Sequence, residues 1–358
     1  MSRRQGPAAR PARRPAARPV LRLGEAVSLP IDRRALTVGM LVVVAILLAG
    51  FLTLTLGSLG IAPAQLLPAL FSDPGGTEGF VLGRLRGPRL TVAIATGAAL
   101  GVSGALFQTV TRNPLGSPDV IGLGVGASAG AATVGLLYPG VLPVPAGALI
   151  GAAVAIVLVW LGTGRGFSSP ARFIIVGIGV SAMGSAYTQF VIARAGREQA
   201  LVLSAYLNGT LASRGWDDAV LIWGALAALV PIALLLGRRL HLIEMGDEMA
   251  DALGARSGRT RIASIAVAVC LSAAAVSVAG PIAFVALTAP QIAKRLGRSP
   301  GTGILLSALT GALILVAADL LVQQSLMGVQ LPVGILTAVV GGVYLGYLLI
   351  RESRKGTL

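Results

Sequence analysis

Ala35-Leu-Thr-Val-Gly-Met-Leu-Val-Val-Val-Ala-Ile-Leu-Leu-Ala-Gly-Phe-Leu-Thr-Leu-Thr-Leu56 runs for 22 residues without a charge. An α-helix rises about 1.5 Å per residue, so a run of this length covers the roughly 30 Å of hydrocarbon in a bilayer. It is too long for the apolar core of a cleavable leader and reads as a first membrane span. The same pattern recurs downstream, placing further spans near 90–110, 119–138, 144–162, 173–193, 219–236, 262–279, 281–296, 303–322 and 333–350. The expected fold is therefore all-α, a polytopic membrane protein with ten crossings over 35–350 and a short tail at 351–358.

Composition agrees with this reading. Hydrophobic residues make up 55% and charged residues 12% of 358, with a mean hydropathy of +0.83, too little polar surface to cover a soluble domain of this size. The 48 glycines suit close approach of membrane helices. Gly97 and Gly101, Gly122, Gly126 and Gly130, and Gly342 and Gly346 stand at four-residue spacing and read as packing seams.

The net charge of +15 is concentrated at the start of the chain. Arg, Pro and Ala fill fifteen of the first nineteen positions, a composition that cannot bury a core, so 1–34 is expected as a disordered basic tail attracted to anionic lipid. This distribution argues against nucleic acid as a partner. All but six of the 29 Lys and Arg fall on one side of the membrane if both termini are cytoplasmic. The same rule resolves 262–296: basic residues flank it at both ends, so the chain goes out and returns, broken at Gly280-Pro281. The returning limb is short and carries Pro290, which suggests a broken helix tolerated only where protein or a water-filled path surrounds it.

Three of the six external cations, Arg84, Arg86 and Arg89, crowd into one short segment. Two explanations fit: an acidic partner docking from outside, or a cluster snorkelling to headgroups. On the cytoplasmic side, helical spacing in Leu242-Ile-Glu-Met-Gly-Asp-Glu-Met-Ala-Asp-Ala-Leu253 gathers Leu242, Met245, Met249 and Leu253 on one face. Glu244, Asp247, Glu248 and Asp251 gather on the other, and Gly254 follows as a stop. Such a helix either lies on its own spans or serves as a lever for another subunit. No phosphate-binding loop, His-Glu-x-x-His or nucleophile with a base in reach occurs, and no row of carboxylates crosses the apolar core. The sole Cys, Cys270, and the sole His, His241, leave no metal cluster to propose. Any active transport then draws its energy from elsewhere.

The residues also carry a resemblance. Arg86-Gly-Pro-Arg-Leu, Gly97-Ala-Ala-Leu-Gly-Val-Ser-Gly-Ala-Leu-Phe-Gln108 and Thr111-Arg-Asn-Pro-Leu-Gly-Ser-Pro-Asp-Val-Ile-Gly122 resemble the signature of FecCD/BtuC-type permeases, as do Ala279-Gly-Pro-Ile-Ala-Phe-Val-Ala-Leu-Thr-Ala-Pro-Gln-Ile-Ala293 and Leu331-Pro-Val-Gly-Ile-Leu-Thr-Ala. These are the membrane subunits of ABC importers for iron-siderophores, haem and vitamin B12. The resemblance implies a ten-span, inner-membrane transport subunit that is not itself an enzyme. Its partners would be a second permease subunit, two cytoplasmic ABC ATPase subunits that bind the ATP, and an external siderophore-binding protein; the chain itself would need no cofactor.

Residue by residue, the resemblance matches Arg86 and Arg89 to the arginines that meet the binding protein. It matches 241–257 to the coupling segment in the ATPase groove, here Glu244, Met245, Gly246, Asp247, Met249, Leu253 and Gly254. Gly164-Arg-Gly-Phe-Ser-Ser-Pro170 matches a loop that narrows the pathway, with Ser168 and Ser169 as gate candidates, although an ordinary turn fits as well. Gln108, Asn113 and Pro114, with Pro290 and Gln291, occupy motif positions near the pathway; the alternative is that Gln108 and Asn113 only satisfy backbone groups freed by Pro114. Many relatives have His at the place of Gln291, Glu at that of Gln330 and Arg at that of Gln323. The Gln291 version resembles the second permease of catecholate-siderophore systems, and the missing charge favours pairing with a different permease chain. Haem or cobalamin import, or an ion-coupled secondary carrier, stand as alternatives.

Overall fold

The structure, a computed structural model, describes residues 20–23, 27–30, 33–57, 59–71, 75–164, 170–195, 204, 206–298, 301–324 and 331–353. Part of the tail expected as disordered is paired: β1 (Val20–Leu23) and β2 (Val27–Pro30) form an antiparallel ribbon in which Leu21 faces Leu29 and Leu23 faces Val27. Its Val-Leu-Arg-Leu and Val-Ser-Leu-Pro strands alternate in the way a two-faced ribbon needs, unlike the Arg/Pro/Ala stretch before them.

The remaining regular elements among the described residues are helical. In chain order come α1 (Arg33–Thr55), α2 (Pro63–Phe71), α3 (Gly76–Phe80), a π-helical turn (Val81–Leu85), α4 (Arg86–Thr111), a 3-10 turn (Pro118–Ile121), α5 (Leu123–Ala132), α6 (Val144–Gly162) and α7 (Pro170–Arg194). They are followed by α8 (Trp216–Glu244), α9 (Asp247–Ala252), α10 (Ser257–Ala279), α11 (Val285–Gly297), α12 (Ile304–Gln323) and α13 (Val333–Ser353). Among the described residues seven helices are long and apolar enough to cross a membrane; Leu123–Leu137 and Val333–Tyr347 are shorter apolar helices. At 13 residues, α11 is about 20 Å long, less than a full crossing.

Helices α4 and α10 form the centre, with 78% and 72% of their apolar windows buried, against 22% for α1 and 17% for α7. The centre is close-packed because glycine removes side chains at the crossings. A methyl group added at Gly97 or Gly101 would strike the carbonyls of Gly311 or Ser307 on α12, and one at Gly104 that of Ala286 on α11. Gly126 and Gly130 on α5 meet Gly147 and Gly151 on α6 in the same manner. Two of the expected seams differ. Gly342 and Gly346 meet nothing within 4 Å, because that face of α13 points away from the rest of the chain. Gly122 ends the 3-10 turn in the left-handed region at φ 81.

The stretch 262–296 consists of α10, a non-helical segment from Gly280 to Phe284, and α11. Backbone without helical bonds at this depth must find partners in protein. The Thr210 amide donates to Ala279 O (2.8 Å), the Tyr206 hydroxyl to the Val276 and Ser277 carbonyls (3.0 Å each), and Gly334 N to Gly209 O (3.0 Å). Pro290 does not break the return limb: it sits buried inside α11.

Candidate functional site

Hydrogen bonds sort the helix ends into two poles. At one pole α8 ends at Glu244 and the chain turns through Gly246, whose φ of 118 is open to glycine and strained for other residues. The continuous amphipathic helix expected over 242–253 is thus two helices, with only Asp247–Ala252 in the second; Gly254, at φ 82, ends it as anticipated. The faces also differ from expectation. Met245, Met249 and Leu253 are 65%, 53% and 57% exposed and point away from the chain, whereas Leu242 turns inward and packs on the core.

Two acidic side chains are the inward ties. Asp247 Oδ1 accepts from Arg112 Nη2 at 2.6 Å and from Arg261 Nη2 at 2.8 Å. Asp251 accepts from the Ser257 amide (2.6 Å) and hydroxyl (2.9 Å), and these bonds hold its carboxyl below the usual carboxylate range. Glu244 instead meets His241 Nδ1 at 3.2 Å. Arg112 ends α4 at φ 49 and also donates to Ile243 O (2.6 Å), so one guanidinium holds α8 and α9 together. No local pattern marks Arg112 and Arg261 for this role, because their shared partner Asp247 lies 135 and 14 residues away.

At the opposite pole, Arg86 Nη1 donates to Thr53 O (2.7 Å) and Leu56 O (2.5 Å), carbonyls that the end of α1 leaves without helical partners. Arg89 is differently placed. Its Nε and Nη2 grip Asp319 of α12 at 2.7–3.1 Å, and Gln323 Nε2 adds a bond to the same carboxylate at 2.7 Å. With Asp319 only 2% exposed, Arg89 is neutralised within the chain and is not a free docking charge. Arg84 is exposed beside it, and Trp216 Nε1 donates to Gly83 O (2.7 Å), fixing α8 to the π-helical turn. A cavity of about 650 Å³ opens here, lined among others by Arg86, Arg89, Asn208, Thr210, Gln323 and Pro332.

Between the poles, the motif amides lock the backbone. Gln108, 3% exposed, donates to Leu287 O (2.9 Å), and its Oε1 accepts from Gln291 Nε2 (2.8 Å), which also reaches Pro114 O (3.0 Å). Asn113 Oδ1 accepts from the Leu115 amide (2.9 Å). Gln108 therefore bridges α4 to α11, while Asn113 stabilises the turn at Pro114. Ser168 and Ser169 lie outside the described residues.

The profile of the FecCD transport family matches residues 43–351. The chain belongs to this family. Relatives of this FecCD protein include the ferric enterobactin transport system permease protein FepG of Escherichia coli (strain K12), 41% identical over 91% of this chain and 99% of that protein. The Fe(3+)-citrate import system permease protein YfmE of Bacillus subtilis (strain 168) is 36% identical over 90% of this chain and 98% of its own length. Among solved structures, a metal-chelate type ABC transporter in an inward-facing conformation superposes with a TM-score of 0.78 at 23% identity, covering 88% of this chain and 99% of that one. That likeness bears on the fold, and it agrees with the all-α membrane architecture.

Proposed function

We propose that this FecCD-family chain is the membrane permease subunit of an ATP-driven ABC importer for ferric-siderophore complexes. The relatives named for ferric enterobactin and Fe(3+)-citrate support that substrate class. An external binding protein delivers the chelate at the Arg84–Arg86 pole, and cytoplasmic ATPases act at the α9 pole, with both termini on the cytoplasmic side. A second permease chain completes the pathway. The observation that carries the reading is the outward apolar face of Met245, Met249 and Leu253: three large apolar side chains exposed at a polar, basic pole call for a covering partner. In this reading closure of the ATPases moves α9 and alternates access.

Met249→Glu tests it better than a change at Gly246, where a side chain would strain the backbone at φ 118. The variant should insert normally, lose co-purification with the ATPase and lose uptake in proteoliposomes. Retained ATPase and unchanged uptake would reject the assignment, and uptake independent of ATP would replace it with a secondary carrier.

A further inference from the structure

The segment that faces the ATPase is joined to the rest of the chain softly along the backbone and firmly through side chains. Helix α9 has six residues, of which Ala250 alone is buried, and glycines in conformations that other residues rarely adopt stand at both ends, Gly246 at φ 118 and Gly254 at φ 82. Such junctions permit pivoting. What fixes α9 is Asp247, held by Arg112 and Arg261, and Asp251, held by Ser257. Arg112 is the last-turn cap of α4, and its second bond, to Ile243 O, reaches the last turn of α8.

Helix α4 spans 26 residues, about 39 Å, and ends at the opposite pole in Arg86 and Arg89. There Arg86 grips the end of α1, and Arg89 grips α12 through Asp319. Between the ends, Gly97, Gly101 and Gly104 press its backbone against α12 and α11 without intervening side chains, so a displacement of one end has little slack in which to dissipate. One buried rod thus carries polar ties at both poles.

Resting on the importer reading above, we propose that α4 transmits between the binding-protein pole and the ATPase pole, with Arg112 as the positioning residue that links it to α9. Exposed pairs contribute little to stability. Both members here are more than two-fifths exposed, so removing the pair should loosen α9 while leaving the fold intact. Because coupling between two sites is reciprocal, the tie should carry the docking signal inward and the nucleotide signal outward.

The test uses the complete complex in nanodiscs with its ATPase and loaded binding protein. In Arg112→Gln, stimulation by the loaded binding protein should fall by about tenfold, a larger loss than any in assembly or basal ATP hydrolysis. The nucleotide dependence of binding-protein affinity should disappear with it. If Arg112→Gln assembles poorly, Arg112→Lys decides: it keeps the charge on a shorter side chain without the planar guanidinium fork and so holds Ile243 O and Asp247 less well, and stimulation below the parent at parental assembly supports the proposal. Parental stimulation and parental nucleotide dependence in either variant would overturn it. Failure of the importer reading looks different, since Met249→Glu would then keep its ATPase.

Discussion

At the scale of the residue, charges that look equivalent in sequence have distinct surroundings. Arg86 and Arg89 stand one helical turn apart, yet the first caps the carbonyls of α1 and borders the cavity, while the second is consumed by a nearly buried carboxylate. Removing one partner of a buried pair leaves an uncompensated charge and costs about 3–5 kcal/mol. Asp319→Asn should accordingly lower thermal stability in detergent by an amount of that order, read by a thermal-shift assay. Arg86→Glu should leave folding intact and weaken docking of the loaded binding protein in a salt-dependent manner. Equal loss of stability in both variants would contradict the distinction. No local signal separates the two arginines, because Asp319 lies 230 residues beyond Arg89.

At the scale of the element, small residues decide which helices touch. The four-residue glycine spacing was legible, and at Gly97/Gly101 and Gly126/Gly130 it marks backbone-to-backbone crossings; at Gly342/Gly346 the same spacing faces open space within this chain. Sequence cannot tell these apart, since the partner surface comes from another helix. Gly101→Ala should therefore cost about 3 kcal/mol or more, by driving a methyl into the Ser307 carbonyl, and reduce the yield of folded protein. Gly342→Ala should fold with parental yield, and the two can be compared by size-exclusion profile and melting temperature. The break before α11 was foreseen from Gly280-Pro281, but the amphipathic helix at 242–253 was assigned one element too few. Helical periodicity passes smoothly through Gly246, whereas its backbone does not.

At the scale of the whole molecule, a buried pair of helices is surrounded by others whose apolar sides are bare. Ile175, Ile178 and Met183 of α7 and Val339 and Val343 of α13 are more than half exposed, as expected where lipid or a neighbouring permease supplies the contact. Removing residues 2–19 should lower binding to anionic vesicles while leaving uptake at the parental level, because the arginines retained next to α1 still orient it. Loss of uptake in a correctly inserted truncation would refute that. The membrane class, the long apolar helices and the family were legible in sequence, since apolarity over about 20 residues is a local property. Only the tertiary structure decided that Arg89 is paired with Asp319, that Gln108 bridges α4 to α11, and that Met245, Met249 and Leu253 face outward. Each of those depends on groups brought together from distant parts of the chain, and packing, not local pattern, chooses the partner.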